Sequence, residues 1–161
     1  MNVQPYYYIF KIGQPGDKSD DLIEAGTGGR LTHCAIAISE TEAMEMHITG
    51  IRTRKINDFA EIEVLVPPDT VLERLPAAVR KAYRKRKWSR YAWLQGASQG
   101  IHRWTGIRLP FYLGTSCSEL LALISKFARV ARLKRPNRYD PQRLRDFLVI
   151  DHGWTHFEVK Q

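Results

Sequence analysis

The groups in this 161-residue chain best suited to nucleophilic or general-base chemistry near neutral pH are two cysteines, Cys34 and Cys117, and five histidines. Cys117 stands in the stretch GTSCSELLALI, just ahead of an apolar run with helical spacing. Ser116 and Glu119 make a Ser-x-x-Glu pattern, the signature of a capping box, with Ser116 as N-cap and Glu119 as its partner. Cys117 is then the first residue of the helix. The free N–H groups and macrodipole of a helix N-terminus favour an anion, and a thiolate is the nucleophilic form of cysteine. The same N–H groups can serve an oxyanion hole. A structural cysteine beside a cap would read the same way, so Cys117 needs partners to make a case.

His33 is the candidate base. It opens the most apolar strand-like segment, in RLTHCAIAIS, where a ring at a strand mouth can face a cleft while the strand stays buried. A base needs a group to orient it. The next segment, AMEMHI, alternates, with Met44, Met46 and Ile48 on one face and Ala43, Glu45 and His47 on the other. Glu45 and His47 share parity, so spacing alone leaves both open as the residue that holds the His33 ring; a solvent-facing role for Glu45 is the plainer alternative. Cys34 points opposite to His33 and reads as a small core residue. No metal site is expected: His152 and His156 have helical ligand spacing, but Gly153 and aromatic neighbours argue against a helix, and there is no Cys-x-x-Cys. No cofactor is expected either.

The elements that must position these groups divide along the chain. The first half reads as β: PYYYIFKI, then HCAIAIS as a central strand buried on both faces, AMEMHI, a tight hairpin at Thr49-Gly50, IRTRKI, and IEVLV stopped by Pro67-Pro68. KSDDLIEAGTGG between the first two strands predicts a short capped helix ending in glycines. The second half reads as helical. Thr70 and Glu73 suggest a capping box, followed by a restart with Pro76 at the first helical position and a helix to about Lys87. A second helix is capped by Ser89 and ended by Gly106; a third runs from Cys117 to about Leu133; Asp140-Pro141 opens a short fourth; and WTHFEVK reads as a last strand. Strands segregated from helices predict an α+β fold in a single domain over residues 1–161.

Composition fits that picture: 43% hydrophobic and 26% charged residues exclude a disordered chain. The start has no basic region followed by an apolar core and cleavage site, and no apolar run approaches the ~18 residues of a membrane span, so a cytoplasmic chain is expected, with virion association as an alternative. The net charge of +8 is unevenly spread: residues 1–73 carry 6 basic and 12 acidic residues, and residues 74–161 carry 19 basic and 5 acidic. Residues 74–108 hold ten Lys/Arg and no acid. Arg84, Lys85, Arg86, Lys87 and Arg90 form the densest part, a candidate surface for an anionic substrate, nucleic acid, anionic polymer or membrane surface. A merely solvated helix face is the alternative.

Taken together, a histidine opening an apolar strand in THCAIAIS, a Glu-bearing strand before Gly and a β segment in MEMHITGIRTRKINDF, and a cysteine opening a helix in CSELLALI, after RYAWLQG and before YDPQRLRDF, resemble the permuted papain-like hydrolases, the YiiX-like branch of the NlpC-type amidase superfamily. The resemblance spans roughly residues 20 to 147. It implies a circularly permuted papain-like fold, an antiparallel sheet packed against the helix that bears the cysteine, with the histidine strand preceding the cysteine helix. It implies Cys117 as nucleophile, His33 as general base and acid, and Glu45, five residues before Gly50, as orienting residue, with His47 kept as the alternative. The activity implied is hydrolysis of an amide or ester through an acyl-enzyme, on peptide-like amides such as cell-wall peptides or on acyl lipids. Two rival expectations remain: a lipid acyltransferase using the same Cys-His pair, and a non-catalytic binding or structural module that uses the basic half.

Overall fold

The computed structural model describes residues 3–47, 49–87, 116–130, 133, 136 and 139–160. The expected helix between Ser89 and Gly106, together with Arg90, lies outside them.

Six strands form one antiparallel sheet: β1 Tyr8–Ile12, β2 Leu31–Ala37, β3 Glu42–His47, β4 Gly50–Lys55, β5 Glu61–Val66 and β6 Thr155–Lys160. Their order across the sheet is β4-β3-β2-β1-β5-β6. The helices are α1 Lys18–Thr27, α2 Asp69–Leu72, α3 Leu75–Arg86, α4 Cys117–Phe127 and α5 Pro141–Asp146. The fold is α+β, as the segregation of patterns predicts.

β2 is apolar along its length because both its faces are covered. Cys34 and Ile36 face the larger core with α3, α4 and α5, while Ala35 and Ala37 face a smaller one built from Val3, Ile9, Ile56 and Phe59. β1 behaves likewise, Tyr8 and Phe10 going to the helical side and Ile9 to the other. This strand is shorter than PYYYIFKI suggests: Tyr6 is left-handed at φ 70, which breaks the extended run, so pairing starts at Tyr8. The β3–β4 hairpin also differs by one residue. His47 pairs with Gly50, so Gly50, at φ 113, follows the two turn residues instead of being one of them.

The central helix is α4. Residues 117 to 125 are all buried, which is the pattern of a helix covered all round. The hydroxyl of Ser125, inside the helix, is satisfied by the Leu121 carbonyl at 2.9 Å and the Tyr8 hydroxyl at 2.9 Å. The helix stops at Phe127, short of the expected Leu133, because Arg129 takes a left-handed conformation at φ 56 and the Val130 N–H turns back to the Ser125 carbonyl at 3.0 Å. The Thr70–Glu73 capping box does not form: Pro68 is the N-cap of α2, with no side-chain bond, and Thr70 lies inside the helix. α3 restarts one residue earlier than predicted, with Leu75 first and Pro76 second, where a missing N–H is still harmless. The Asp140-Pro141 opening of α5 is as the sequence predicts, with Asp140 accepting from the Arg143 N–H at 2.8 Å.

Candidate active site

Cys117 is the first residue of α4. Ser116 caps the helix, its hydroxyl accepting from the Glu119 N–H at 3.1 Å. Only this half of the capping box is made. The Glu119 carboxylate is bound by Arg86 of α3 at 2.7 Å instead of returning to Ser116. Ser118 donates to the Tyr139 carbonyl at 2.6 Å, tying the first turn of α4 to the segment that leads into α5. Three side-chain bonds from the cap and first turn of α4 thus hold the backbone that carries Cys117.

His33 follows a bulge. Ile12 pairs with Leu31 and Lys11 with His33, so Thr32 is an extra residue on β2. Bulges twist a strand and re-aim its side chains. His33 keeps 20% of its side chain exposed, the opening of the site to solvent, while Glu45 beneath it is buried at 1%. The His33 Nε2 and Glu45 Oε2 are 2.8 Å apart. That leaves Nδ1 as the ring nitrogen able to exchange a proton with a thiol. The Cys117 thiol acts on the ring through both charge and hydrogen bonding.

Glu45 carries a second partner that the sequence reading missed. Arg52 of β4, directly opposite in the hairpin, donates from Nε to Oε1 at 2.6 Å. Each carboxylate oxygen therefore holds one cation-forming group, which satisfies a buried charge that would otherwise be costly. His47 is turned elsewhere: its Nδ1 is 3.2 Å from the Thr49 hydroxyl, at the exposed end of the hairpin. The structure brings Glu45, and not His47, to the His33 ring.

Cys34 also has more than a filling role. It is buried at 1% on the helix-facing side of β2, near enough to Cys117 for the two thiols to perturb one another. Consecutive strand residues face opposite ways, so the adjacency of Cys34 to His33 in sequence did not show that both lie near Cys117.

The electrostatics follow from these contacts. The Cys34 hydrogen bond is the largest influence on Cys117, and with the His33 charge it holds the thiol well below its ordinary value in spite of burial. Burial by itself would lower His33, but the charge and hydrogen bond of Cys117, then Glu45, push it up to about 10. Burial would raise Glu45, but His33 and Arg52 outweigh it and hold the carboxyl at about 2. Burial, then the neighbouring Cys117 charge, pushes Cys34 well above the ordinary thiol range. These shifts favour a thiolate–imidazolium pair over a doubly held carboxylate, and a neutral thiol at Cys34.

The basic residues singled out in sequence fare differently. Arg84, Lys85 and Lys87 are exposed at the end of α3. Lys85 lies 6.0 Å from the Phe127 ring centroid, beyond Lys81 at 4.5 Å. Arg86 is not part of an open anion-binding surface: its guanidinium is engaged by the buried Glu119, which needs a partner. Among the described residues no group of three or more His, Cys, Asp or Glu is placed to hold a metal ion. His152 packs on Phe147, with ring centroids 4.6 Å apart, and His156 lies 3.5 Å from Glu63. Among the described residues no helix is long and apolar enough to cross a membrane.

No protein-family model matches the chain, and no curated protein matches it either.

Proposed function

We propose that this chain is a cysteine hydrolase of the permuted papain-like type, cleaving an amide or ester bond through Cys117, His33 and Glu45. The observation that carries the reading is the 2.8 Å bond between the His33 ring and the buried Glu45 carboxylate, beside a helix-capped thiol near enough to raise the ring's pKa. Nucleophile, base and orienting group are the three roles acyl transfer by cysteine requires. The chain order, His33 and Glu45 before Cys117, is that of the permuted branch.

In the reaction, the Cys117 thiolate attacks the substrate carbonyl carbon, and the carbonyl π electrons move to oxygen. The Cys117 N–H, free at the first turn of α4, is positioned as one oxyanion donor. His33 gives its proton to the leaving amine or alcohol as the tetrahedral adduct collapses to the thioester. Water then attacks the thioester with His33 taking its proton, and the acid product leaves with Cys117 as thiolate. Glu45 keeps the ring in one orientation and stabilises its charged form, without itself becoming protonated. An acyltransferase would share every step up to the thioester and replace water by an acceptor.

The test is incubation of the protein with a panel of short-chain thioesters, aryl esters and peptide amides, followed by intact-mass and product analysis. An acyl adduct on Cys117, absent in Cys117→Ala and slow in His33→Ala, is expected. Product masses with and without an alcohol or amine acceptor separate hydrolysis from acyl transfer. A panel that leaves Cys117 unmodified and its reactivity unchanged by His33→Ala would overturn the reading.

A second reading has its own observation. A hollow of about 410 Å³ is lined by Arg74, Lys81, Phe127 and Arg129, with Glu73 at its rim. It sits at the far end of α4, roughly 15 Å along the helix axis from Cys117, so it is a separate surface. Binding of nucleic acid or anionic vesicles through it would weaken steeply with salt. It would also persist in Cys117→Ala.

A further inference from the structure

The chain has two cysteines, and the fold buries both in one core. Cys34 comes from the middle of the sheet and Cys117 from the first turn of the central helix, and both are free and buried in the same core. Cys34 lies on the helix-facing side of β2, in the same core cluster as Cys117, and each thiol is near enough to perturb the other. The neighbours of Cys34 on the helix-facing side, Phe10 of β1 and Ile36 of β2, are apolar. A sulfur there adds chemistry that packing does not require. We propose that Cys34 is a resolving thiol: when a peroxide oxidises Cys117, Cys34 closes a reversible Cys34–Cys117 disulfide that switches the site off and shields it from further oxidation.

The inference rests on Cys117 being the reactive thiol of the proposed hydrolase. The steps balance. The Cys117 thiolate attacks one oxygen of hydrogen peroxide, the O–O bond breaks, and the departing hydroxide takes a proton to leave as water. Cys117 is now a sulfenic acid. The Cys34 sulfur attacks the Cys117 sulfur, an S–S bond forms, the S–O bond breaks, and the hydroxide leaves with the Cys34 proton as a second water. A dithiol reductant restores both thiols and is itself oxidised to a disulfide.

Two features of the site favour this order. His33 is partly exposed, so a molecule as small as peroxide reaches the pair from that side. The sulfurs are also unlike: Cys117 is held as the anion and Cys34 as the neutral thiol, so oxidation begins at Cys117 and Cys34 is kept in reserve. In the absence of a neighbouring thiol, a sulfenic acid with continuing peroxide goes on to the irreversible sulfinic acid.

The experiment treats the full-length protein with hydrogen peroxide, blocks free thiols with iodoacetamide under denaturing conditions, and maps peptides without reductant. The expected result is a peptide pair joined through Cys34 and Cys117, lighter by two hydrogens, in a protein that runs as a monomer on a non-reducing gel. Dithiothreitol should return both thiols and the full labelling rate of Cys117. In Cys34→Ala, the same treatment should leave Cys117 carrying two added oxygens and not recoverable by dithiothreitol. Wild-type protein that ends with Cys117 as sulfinic acid and Cys34 alkylated would overturn the proposal, as would equal recovery of wild type and Cys34→Ala. A disulfide without any acyl adduct in the substrate panel would sink the hydrolase reading and leave the thiol pair standing. An acyl adduct with sulfinic acid as the oxidation product would do the reverse.

Discussion

Glu45 stands opposite Ala35 in the β2–β3 ladder, yet its carboxylate reaches diagonally to His33, with Oε2 2.8 Å from Nε2. The described pairing of β2 with β3 ends at Ala35 and Glu45. Continued by two residues, it would set His47 against His33. A glutamate is long enough to span the diagonal between neighbouring strands, and here it does so with its second oxygen already fixed by Arg52. The ring is therefore oriented by a group that is itself immobilised.

Glu45 should govern the acid limit of stability. Its folded pKa, at about 2, lies below the ordinary value of 4.5. A depressed carboxyl contributes stability that is fully present above the unfolded pKa and lost as pH falls through the folded one. Stability should thus decline between about pH 4.5 and 2 by up to roughly 3 kcal/mol. Urea midpoints measured across that range should show the decline in wild type and a much shallower one in Glu45→Gln. An unchanged acid limb in the variant would contradict the buried ion pair.

His33 and Cys117 give a different pH signature because they titrate as a pair. Folded, they hold one proton between them, on the ring. Unfolded, they also hold one proton between about pH 6.5 and 9, on the thiol, given their ordinary values of 6.5 and 9.0. Their linkage to stability therefore cancels over that window. Below about 6.5 the unfolded imidazole binds an extra proton, and stability falls with pH. Above 9 the unfolded thiol loses its proton while folded His33 keeps its own until about 10, and stability falls as pH rises. Proton NMR of the His33 ring checks the assignment: it should remain charged through neutral pH and titrate near 10 in wild type, with a clearly lower value in Cys117→Ala. A wild-type ring titrating near 6.5 would rule out the ion pair.

Arg52 touches Glu45 and no reacting group, so it acts by position. Arg52→Met should leave the fold intact, with a stability loss of about 1 kcal/mol because the side chain is 41% exposed. Its effect should fall on kcat more than KM, as the freed carboxylate lets the His33 ring wander. Arg52→Lys should recover part of the loss. A variant with altered KM alone would make Arg52 a substrate contact instead.

Much of this site was legible in sequence, and the misses have a common cause. Cys117 at a capped helix start, His33 at the head of an apolar strand and Glu45 on its neighbour are all local patterns, set by spacing within one element. Arg52 was missed because its place depends on hairpin register. A turn centred on Thr49-Gly50 would set Glu45 against Arg54, and the observed turn, closed by His47 and Gly50, sets it against Arg52. Arg86 was taken for part of an anion-binding basic surface because its partner, Glu119, is far along the chain on α4 and was already assigned to the cap. Cys34 was read as core filling. It is in the core, but only the packing of α4 on β2 decides that the neighbouring core atom is a second sulfur.

The Arg86–Glu119 pair separates structural from solvated charge on α3. Arg86→Ala strands a carboxylate whose side chain is 8% exposed and whose pKa burial already raises. The loss should be about 1–3 kcal/mol, limited because Glu119 can take up a proton. A raised carboxyl costs more as pH rises through its folded pKa, so the deficit relative to wild type should widen from acid to neutral pH. Arg84→Ala, at an exposed position on the same turn, should stay within about 0.5 kcal/mol. Chemical denaturation of the two variants at acid and neutral pH gives the comparison. Equal effects would mean that Arg86 is as solvated as its neighbours.

Alkylation distinguishes the two sulfurs directly. Cys117 is an anion at the head of a helix beside a partly exposed ring, whereas Cys34 is neutral and covered by the core. At pH 6 an unperturbed thiol is only about 0.1% ionised, and a low-pKa thiolate is intrinsically less nucleophilic, so a net advantage of ~100-fold for Cys117 is expected. Iodoacetamide labelling followed by peptide mapping should find Cys117 modified first, with a rate nearly flat from pH 6 to 8. In His33→Ala the charge that lowers the thiol is gone, so the rate at pH 6 should fall at least about tenfold and the profile should move to higher pH. Cys34→Ala should shift the profile in the same direction, because the hydrogen bond from Cys34 is the largest influence on the Cys117 sulfur. Slow labelling of both thiols at equal rates, with no response to His33→Ala, would show that Cys117 is an ordinary buried cysteine and would remove the nucleophile from the proposed site.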